Sequence, residues 1–330
     1  MNKIFNIPGT LLLTAILLLT AACSSDSSND VQPSPTPNNP QEISIQTDVR
    51  KMAEGTRAAT IDNTTLQGQN LKIDAYYHDT ETKYLDGAKL HYDSSWKFWD
   101  GSAQLHYYWP VVGSVYSNIT YSSLDFVGFC PFTTPSYITT DPTYDHTSGI
   151  SFTCNMGSYM TLASQTSMPE YLVAVLDGQT YDTQTAAGGA LPLQFKHPFA
   201  LIKFVITVAS GTNVKINSIS IADLYTGGTC TYNGSTIGWG SLSGSAAMTL
   251  TQELKNSGTT EGTPFIVIPN NYGTKTLTVN ATWDDWSNVT TDVTANVAFN
   301  WQAGYIYTYN LTLSKYALKV ETTNTYTEQW

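Results

Sequence analysis

The chain has 330 residues, a formal net charge of −11 and only 12% charged residues. A nucleic-acid-binding surface needs clustered Lys and Arg to neutralise phosphates, so the acidic balance argues against a nucleic-acid partner. Aromatic residues make up 12% of the chain, and Thr, Ser and Asn are abundant, which favours β-structure over helix.

Residues 1–22 predict a secretory signal peptide. Lys3 supplies a positive charge, an apolar run too short to span a bilayer follows, and the chain turns polar after Cys23. A cysteine at this break resembles the lipobox of bacterial lipoproteins, whose thiol is acylated. A plain secretory signal with an incidental cysteine is the alternative. Residues 23–41 are rich in Ser, Asn and Pro and predict a disordered tether.

Alternating apolar and polar residues predict a first strand at residues 43–49 with one buried face. That face carries Ile43, Ile45, Thr47 and Val49. Both arginines of the chain, Arg50 and Arg57, follow directly. In a chain that otherwise uses lysine, this pair favours a processing site for an Arg-specific protease. Arg57 is preferred because the small residues around it leave it accessible; chance clustering is the alternative.

The remaining chain reads as short strands separated by Gly and Asn turns, a pattern typical of β-sandwiches. Residues 171–176 are apolar on both faces and predict a central strand, and the loop at residues 177–191 is the predicted domain junction. A phase shift at Asn217 predicts a β-bulge. Length and pattern together predict an all-β chain with two β-sandwich domains in tandem, residues 42–185 and 186–330.

The sequence carries no motif typical of a catalytic or metal site, so we predict no enzyme, no cofactor and no metal. The five histidines share no ligand-like spacing. Asp284 and Asp285 are interpreted as solvated hairpin residues rather than glycosidase carboxylates. Cys130, Cys154 and Cys230 leave two readings open, one disulfide plus a free thiol or three buried thiols.

A Trp- and Tyr-rich region suggests a second kind of function. Trp96, Trp99 and Trp109 could stack on sugar rings, which would make the chain a surface-exposed glycan-binding lipoprotein. A core or cross-strand role for these aromatic side chains is the alternative.

Several short stretches occur in a fixed order along the mature chain. They are Thr-Arg-Ala at 56–58, Tyr-Trp-Pro at 108–110, LDFVGFCP at 124–131, LQFKHPFALIKF at 193–204, FIVIP at 265–269 and WQAGYIYTYNLTL at 301–313. The ordered set resembles the fimbrillin family of Bacteroidales, lipoprotein precursors that become subunits of type V pili.

This resemblance implies transthyretin-like sandwich domains and a structural or tip subunit of a fimbria at the cell outer membrane. It also implies cleavage by an Arg-specific protease, removal of the strand at 43–49, and insertion of a C-terminal strand from another subunit into the vacated groove. That donor strand would carry Leu318, Val320 and Thr322. Stalk, tip and anchor roles stay open, as does a host glycan or host protein as a further partner.

Overall fold

The computed structural model of the chain describes residues 40–49, 61–115, 118–208, 214–250, 254–255, 258–283 and 289–322. Its regular secondary structure is nearly all β, which confirms the predicted all-β class. Its helices are short: α1 (Asn63–Leu66), α2 (Leu162–Thr166) and α3 (Tyr181–Ala186), with one 3-10 turn at Gly157–Tyr159. Among the described residues, no helix has the length and apolar character needed to cross a membrane.

The described strands divide almost evenly between the two halves of the chain. The first half contains β1 (Ile45–Val49), β2 (Leu71–Tyr77), β3 (Lys83–Asp93), β4 (Ser95–Phe98), β5 (Val111–Val115), β6 (Asn118–Tyr121), β7 (Leu124–Cys130), β8 (Thr143–Asp145), β9 (Gly149–Asn155), β10 (Leu172–Gln179) and β11 (Leu191–Phe195). The second half contains β12 (Ala200–Val208), β13 (Val214–Leu224), β14 (Gly227–Tyr232), β15 (Ile237–Ser243), β16 (Ala246–Leu250), β17 (Leu254–Lys255), β18 (Gly258–Glu261), β19 (Phe265–Val267), β20 (Asn271–Trp283), β21 (Thr290–Asn300), β22 (Ile306–Ser314) and β23 (Ala317–Thr322).

The N-terminal core lies between a five-stranded antiparallel sheet and a two-stranded parallel ribbon. The sheet has the order β10–β7–β2–β3–β4, and the ribbon pairs β1 with β11. Ile73 and Phe126 of the sheet share one buried cluster with Ile45, Leu193 and Phe195 of the ribbon. Strand alternation therefore places one apolar face of each layer against the other.

The C-terminal core lies between two further sheets. One has the order β18–β12–β22–β23 with β19 also on β12, and the other has the order β16–β13–β20–β21 with β17 also on β13. Phe204, Ile221, Leu277 and Leu311 are buried together there. The predicted bulge is confirmed, because the register between β13 and β20 shifts between Ile216 and Ser218.

A four-stranded sheet, β15–β14–β9–β8, covers the second face of the five-stranded sheet. All seven residues of β7 are consequently buried. Two strand-to-strand pairings of the described residues cross the predicted boundary between residues 185 and 186: β9 with β14, and β1 with β11. The limits 42–185 and 186–330 stay a prediction, and hydrogen bonding does not divide the chain at that point.

The prediction that residues 171–176 form a central strand is wrong in one respect. β10 stands at the end of its sheet, although Leu172, Val173 and Ala174 are buried. Layers above and below the sheet bury it, and on its outer edge Val173 exchanges two backbone hydrogen bonds with Lys196, just after β11. Of the two predictions for the cysteines, the structure has three buried thiols: Cys130, Cys154 and Cys230 form no disulfide with one another.

Gly128 on β7 marks a close approach to β11 and gives a test of this packing. A Cβ atom there would lie 2.9 Å from Phe195 Cζ and 3.0 Å from Leu193 Cδ2. We expect Gly128→Ala to lower the free energy of unfolding by roughly 1–3 kcal/mol through overpacking, as measured by urea denaturation. Gly240→Ala is the control, because its Cβ would meet nothing within 4 Å. Equal unfolding free energies for the two variants would contradict the close contact.

Candidate functional site

The groove that β1 covers is the candidate functional site. It is formed by β11 along one edge of β1, by β4 across the other side, and by Trp109 and Gln184 near its start; we call it the β1 groove. β1 runs parallel to β11, with Ile45 opposite Leu191 and Val49 opposite Phe195. A strand far from β11 in sequence therefore completes this layer of the core.

Side-chain burial along β1 follows the predicted alternation. Ile43, Ile45 and Val49 are 1%, 2% and 0% exposed, whereas Gln46 and Asp48 are exposed. Thr47 points to the same face as the three aliphatic residues and is itself partly buried. Its Oγ1 atom is inaccessible to solvent and has no hydrogen-bond partner in the described part of the chain. The structure thus brings all four predicted residues to one groove.

Gln184 holds the start of β1 through hydrogen bonds to its backbone. This role was not predicted from the sequence. Its Oε1 accepts hydrogen bonds from the Ser44 backbone N–H (3.0 Å) and from Trp109 Nε1 (3.2 Å). Its Nε2 donates to the Glu42 backbone carbonyl (2.9 Å). The side chain is 5% exposed, so these bonds replace water that the amide could not otherwise reach.

Local sequence explains how Gln184 is positioned. α3 begins with a capping box. The Thr180 hydroxyl accepts a hydrogen bond from the Thr183 N–H, and the Thr183 hydroxyl accepts one from the Thr180 N–H. The capping box stabilises the start of the short helix that carries Gln184. The Thr-x-x-Thr pattern was the available signal, but it lay in the loop predicted as a domain junction.

Further bonds tie the ends of β1 to the rest of the core. The Ile43 N–H donates to the Tyr107 carbonyl (2.7 Å), and the Trp109 N–H donates to the Gln41 carbonyl (2.9 Å). At the other end, the Val49 N–H donates to Asn63 Oδ1. Asn63 opens α1, so the last residue of β1 contacts the first helix after the undescribed segment 50–60.

The chain after that segment is held separately. The Ile61 N–H donates to Glu170 Oε2 over 2.5 Å, and Glu170 is 4% exposed. Glu170 Oε1 lies 3.2 Å from Nδ1 of the buried His197. Both flanks of segment 50–60 are therefore anchored by their own contacts. Three predicted site residues, Cys23, Arg50 and Arg57, lie outside the described residues.

The predicted donor residues lie in β23, which pairs antiparallel with β22 at the end of its sheet. Leu318 pairs with Leu313 and is 8% exposed, and Val320 pairs with Leu311 and packs partly buried against the C-terminal core. Thr322 ends the strand opposite Tyr309. Residues 323–330 lie outside the described residues.

One part of the glycan-stacking prediction is corrected. Trp109 is 2% exposed, its ring packs edge-on against Phe126, and its indole N–H is bonded to Gln184, so neither ring face can meet a sugar. Trp96 and Trp99 are partly exposed, and Trp96 lines an open cavity of about 670 Å³ beside β1. A glycan role for these two residues stays a prediction.

A titratable cluster that the sequence did not predict lies at one end of β7 and β10. His78 Nδ1 is 2.7 Å from Asp125 Oδ1 and 3.3 Å from Asp177 Oδ1. Asp125 is fully buried and also accepts from the Gly178 N–H (2.8 Å) and the Tyr144 hydroxyl (3.1 Å). The three ligand-type atoms are close enough to hold a cation. Since Asp125 is already satisfied by hydrogen bonds, we interpret the group as an ion-pair cluster around one buried carboxylate.

The cluster shifts the pKa of each member in a direction that its contacts explain. The hydrogen bond with Asp125 raises the pKa of His78. Burial alone would raise the pKa of Asp125, but hydrogen bonds from Asp177, Gly178 and His78 outweigh it and lower that pKa. The hydrogen bond shared with Asp125 raises the pKa of Asp177, because two close carboxyl groups resist double ionisation.

Gln184→Leu tests the bracket at the start of β1. The change removes the partner of the Ser44 N–H, the Glu42 carbonyl and the Trp109 indole N–H, and the buried indole N–H left unsatisfied costs roughly 1–3 kcal/mol. We expect a clear fall in unfolding free energy and faster hydrogen exchange of the β1 amides. Gln302→Leu, at an exposed position, is the control. Unchanged exchange in β1 would show that Gln184 does not hold this strand.

The His78 cluster predicts a pH dependence of stability. Because the folded pKa of His78 is raised above 6.5, its stabilising contribution is present below about pH 6.5 and is lost as pH rises through the folded pKa. We expect NMR titration of the His78 ring to give a midpoint above 6.5 that falls in Asp125→Asn. The stability difference between wild type and His78→Gln should shrink from pH 6 to pH 8. A midpoint unaffected by Asp125→Asn would contradict the assigned cause.

Comparison with known proteins places this geometry in context. A proposed cell adhesion protein from Bacteroides ovatus has a similar fold, with 12% identity, a TM-score of 0.53, and coverage of 86% of this chain and 96% of that chain. A proposed cell adhesion protein from Bacteroides uniformis gives 15% identity, a TM-score of 0.51, and coverage of 86% and 97%. At these identities the likeness concerns the fold alone.

The C-terminally truncated tip fimbrial protein Mfa3 from Porphyromonas gingivalis has a TM-score of 0.40 at 9% identity, covering 77% of this chain and 92% of that chain, too distant to support an argument. No curated protein sequence matches the chain. A profile described as fimbrillin-like matches residues 56–330, which is most of the sequence. The chain therefore belongs to the fimbrillin-like family.

Proposed function

We propose that the chain is a non-enzymatic subunit of a cell-surface fimbria that assembles by exchange of strands in the β1 groove. The precursor is exported as a lipoprotein acylated at Cys23 and reaches the outer membrane. An Arg-specific protease cuts after Arg57, or after Arg50, and β1 leaves its groove. A C-terminal strand from another subunit then takes its place. Family membership supports the fimbrial or adhesin role, and the arrangement of β1 supports this route.

The observation that carries the proposal is the way β1 is attached. Its pairing with β11 and its buried side chains complete the core. Its covalent connection to the rest of the described fold runs through segment 50–60 alone. Asn63 fixes the residue before that segment, and Glu170 fixes the residue after it. A cut within segment 50–60 leaves the contacts of residues 61 onward unchanged. After the cut, β1 is held by non-covalent contacts only.

Burial explains why a cut alone would not empty the groove. Ile43, Ile45 and Val49 are almost completely buried, and each contributes about 2 kcal/mol relative to exposure. An empty groove would also expose the unpaired backbone edge of β11. Release of β1 is therefore favourable when another alternating strand restores both the apolar contacts and the ladder of hydrogen bonds.

The C-terminal strand has properties suited to donation. β23 stands at the end of its sheet, so its departure breaks one ladder rather than two. Leu318 and Val320 alternate with the charged Lys319 and Glu321, as the odd residues of β1 alternate with polar ones. The segment could therefore fill apolar pockets of a second subunit while keeping its charges in solvent.

Treatment of the folded chain with an Arg-specific protease tests the processing step. Because the chain contains two arginines, we expect one main new N-terminus at Ala58, and Arg57→Lys should resist that cut while keeping the positive charge. After the cut, size-exclusion chromatography with light scattering should show growing oligomers that lack residues 1–57. A folded chain that resists the protease, or a cut chain that loses β1 and stays monomeric, would contradict the proposed function.

A further inference from the structure

We propose that the β1 groove is shaped for an aliphatic side chain at the position of Thr47, so that the chain's own β1 is a weaker occupant than a strand with valine there. This inference rests on the proposed function in naming the kind of strand that replaces β1. The preference itself concerns only the folded groove and can be measured before any cut or assembly.

The surroundings of Thr47 are apolar. It stands between Ile45 and Val49 on the face that β1 turns toward the core, and its register partner on β11 is Leu193, which is fully buried. The Thr47 Oγ1 atom is inaccessible to solvent, and none of the described residues offers it a hydrogen bond. The hydroxyl thus lies among aliphatic neighbours, with no hydrogen-bond partner among the described residues.

Other polar groups near β1 do have partners. Gln184 bonds the backbone at positions 42 and 44, Asn63 bonds the Val49 N–H, and the Gln46 and Asp48 side chains face solvent. Thr47 is therefore the single mismatched side chain among the described residues of this strand. Since backbone hydrogen bonds are the same for any sequence, side-chain pockets decide which strand is preferred.

Valine has nearly the shape of threonine but carries a methyl group in place of the hydroxyl. Exchange of the two at this position removes an unsatisfied polar group without adding bulk. We therefore expect a strand with valine to occupy the groove about tenfold more tightly, which corresponds to about 1.4 kcal/mol. The buried aliphatic residues keep β1 bound in the precursor, and the mismatch at Thr47 lets a better-matched strand replace it after the cut.

The same preference bears on the register of a C-terminal strand from a second copy of this chain. If residues 316–322 align with residues 43–49, Val320 falls at the position of Thr47, Leu318 at that of Ile45 and Thr322 at that of Val49. A shift of two residues places either Thr322 or Leu318 at the position of Thr47, depending on its direction. The aliphatic pocket thus disfavours the register with Thr322 there, and the register with Val320 there is the one we test.

The test begins with the intact chain, in which Thr47→Val and Thr47→Ser are compared with wild type. We expect Thr47→Val to raise the melting temperature and to slow hydrogen exchange of the β1 amides about tenfold. Thr47→Ser keeps the hydroxyl, loses the methyl contact and should do the opposite. Thr291→Val is the matched control, because the Thr291 hydroxyl accepts a bond from Trp283 Nε1 and its loss should destabilise the chain.

A second measurement addresses the occupant directly. Chain cut by the Arg-specific protease is mixed with labelled peptides of residues 315–322, either unchanged or with Val320→Thr, and displacement of β1 is followed by fluorescence anisotropy. The unchanged peptide should displace β1 at about tenfold lower concentration than the Val320→Thr peptide.

The outcomes separate the two proposals. A Thr47→Val chain that is no more stable than wild type, with unchanged exchange in β1, overturns the aliphatic pocket even if subunits assemble. Equal displacement by the two peptides overturns the register. A stabilised Thr47→Val chain that is never cut or never assembles supports the pocket and contradicts the proposed function alone.

Discussion

The parallel pairing of β1 with β11 is the contact on which the N-terminal core depends. β11 belongs to a two-stranded ribbon, so without β1 it would present an unpaired edge and a row of uncovered apolar side chains. Parallel pairing of this kind cannot come from a tight hairpin, because the two strands must be joined by a long crossover. The first strand of the fold thus completes a core whose other members come from residues 61–130 and 172–195.

The five-stranded sheet forms the floor of the β1 groove and is packed on both faces. One face of this sheet meets β1 and β11, and the other meets the sheet that contains β9 and β14. Residues of β7 face both sides of the sheet, since Phe126 packs in the N-terminal core and Val127 packs against the sheet of β9 and β14. A layer packed on both sides leaves little freedom for the groove to collapse when its occupant changes. The layer that must survive strand replacement is therefore the most deeply buried one.

Polar contacts divide the attachment of β1 into parts with different chemistry. Gln184 and Asn63 bond main-chain groups, and so they would hold any extended strand in the same place. The aliphatic pockets and the position of Thr47 instead distinguish one side chain from another. Placement and selection are thus separate properties of the groove, and substitutions can change one without the other.

The sequence by itself determined the features that depend on neighbours along the chain: the alternating strands, the bulge at Asn217, the buried face of β1, and the family resemblance. It did not reveal that β10 ends its sheet, that Trp109 is buried, or that Gln184 and the His78 cluster exist. Each of these depends on which distant segments meet, and alternation reports only which face is buried, not what covers it. Tertiary structure alone decided that β1 lies parallel to β11, because backbone pairing carries no local sequence signal.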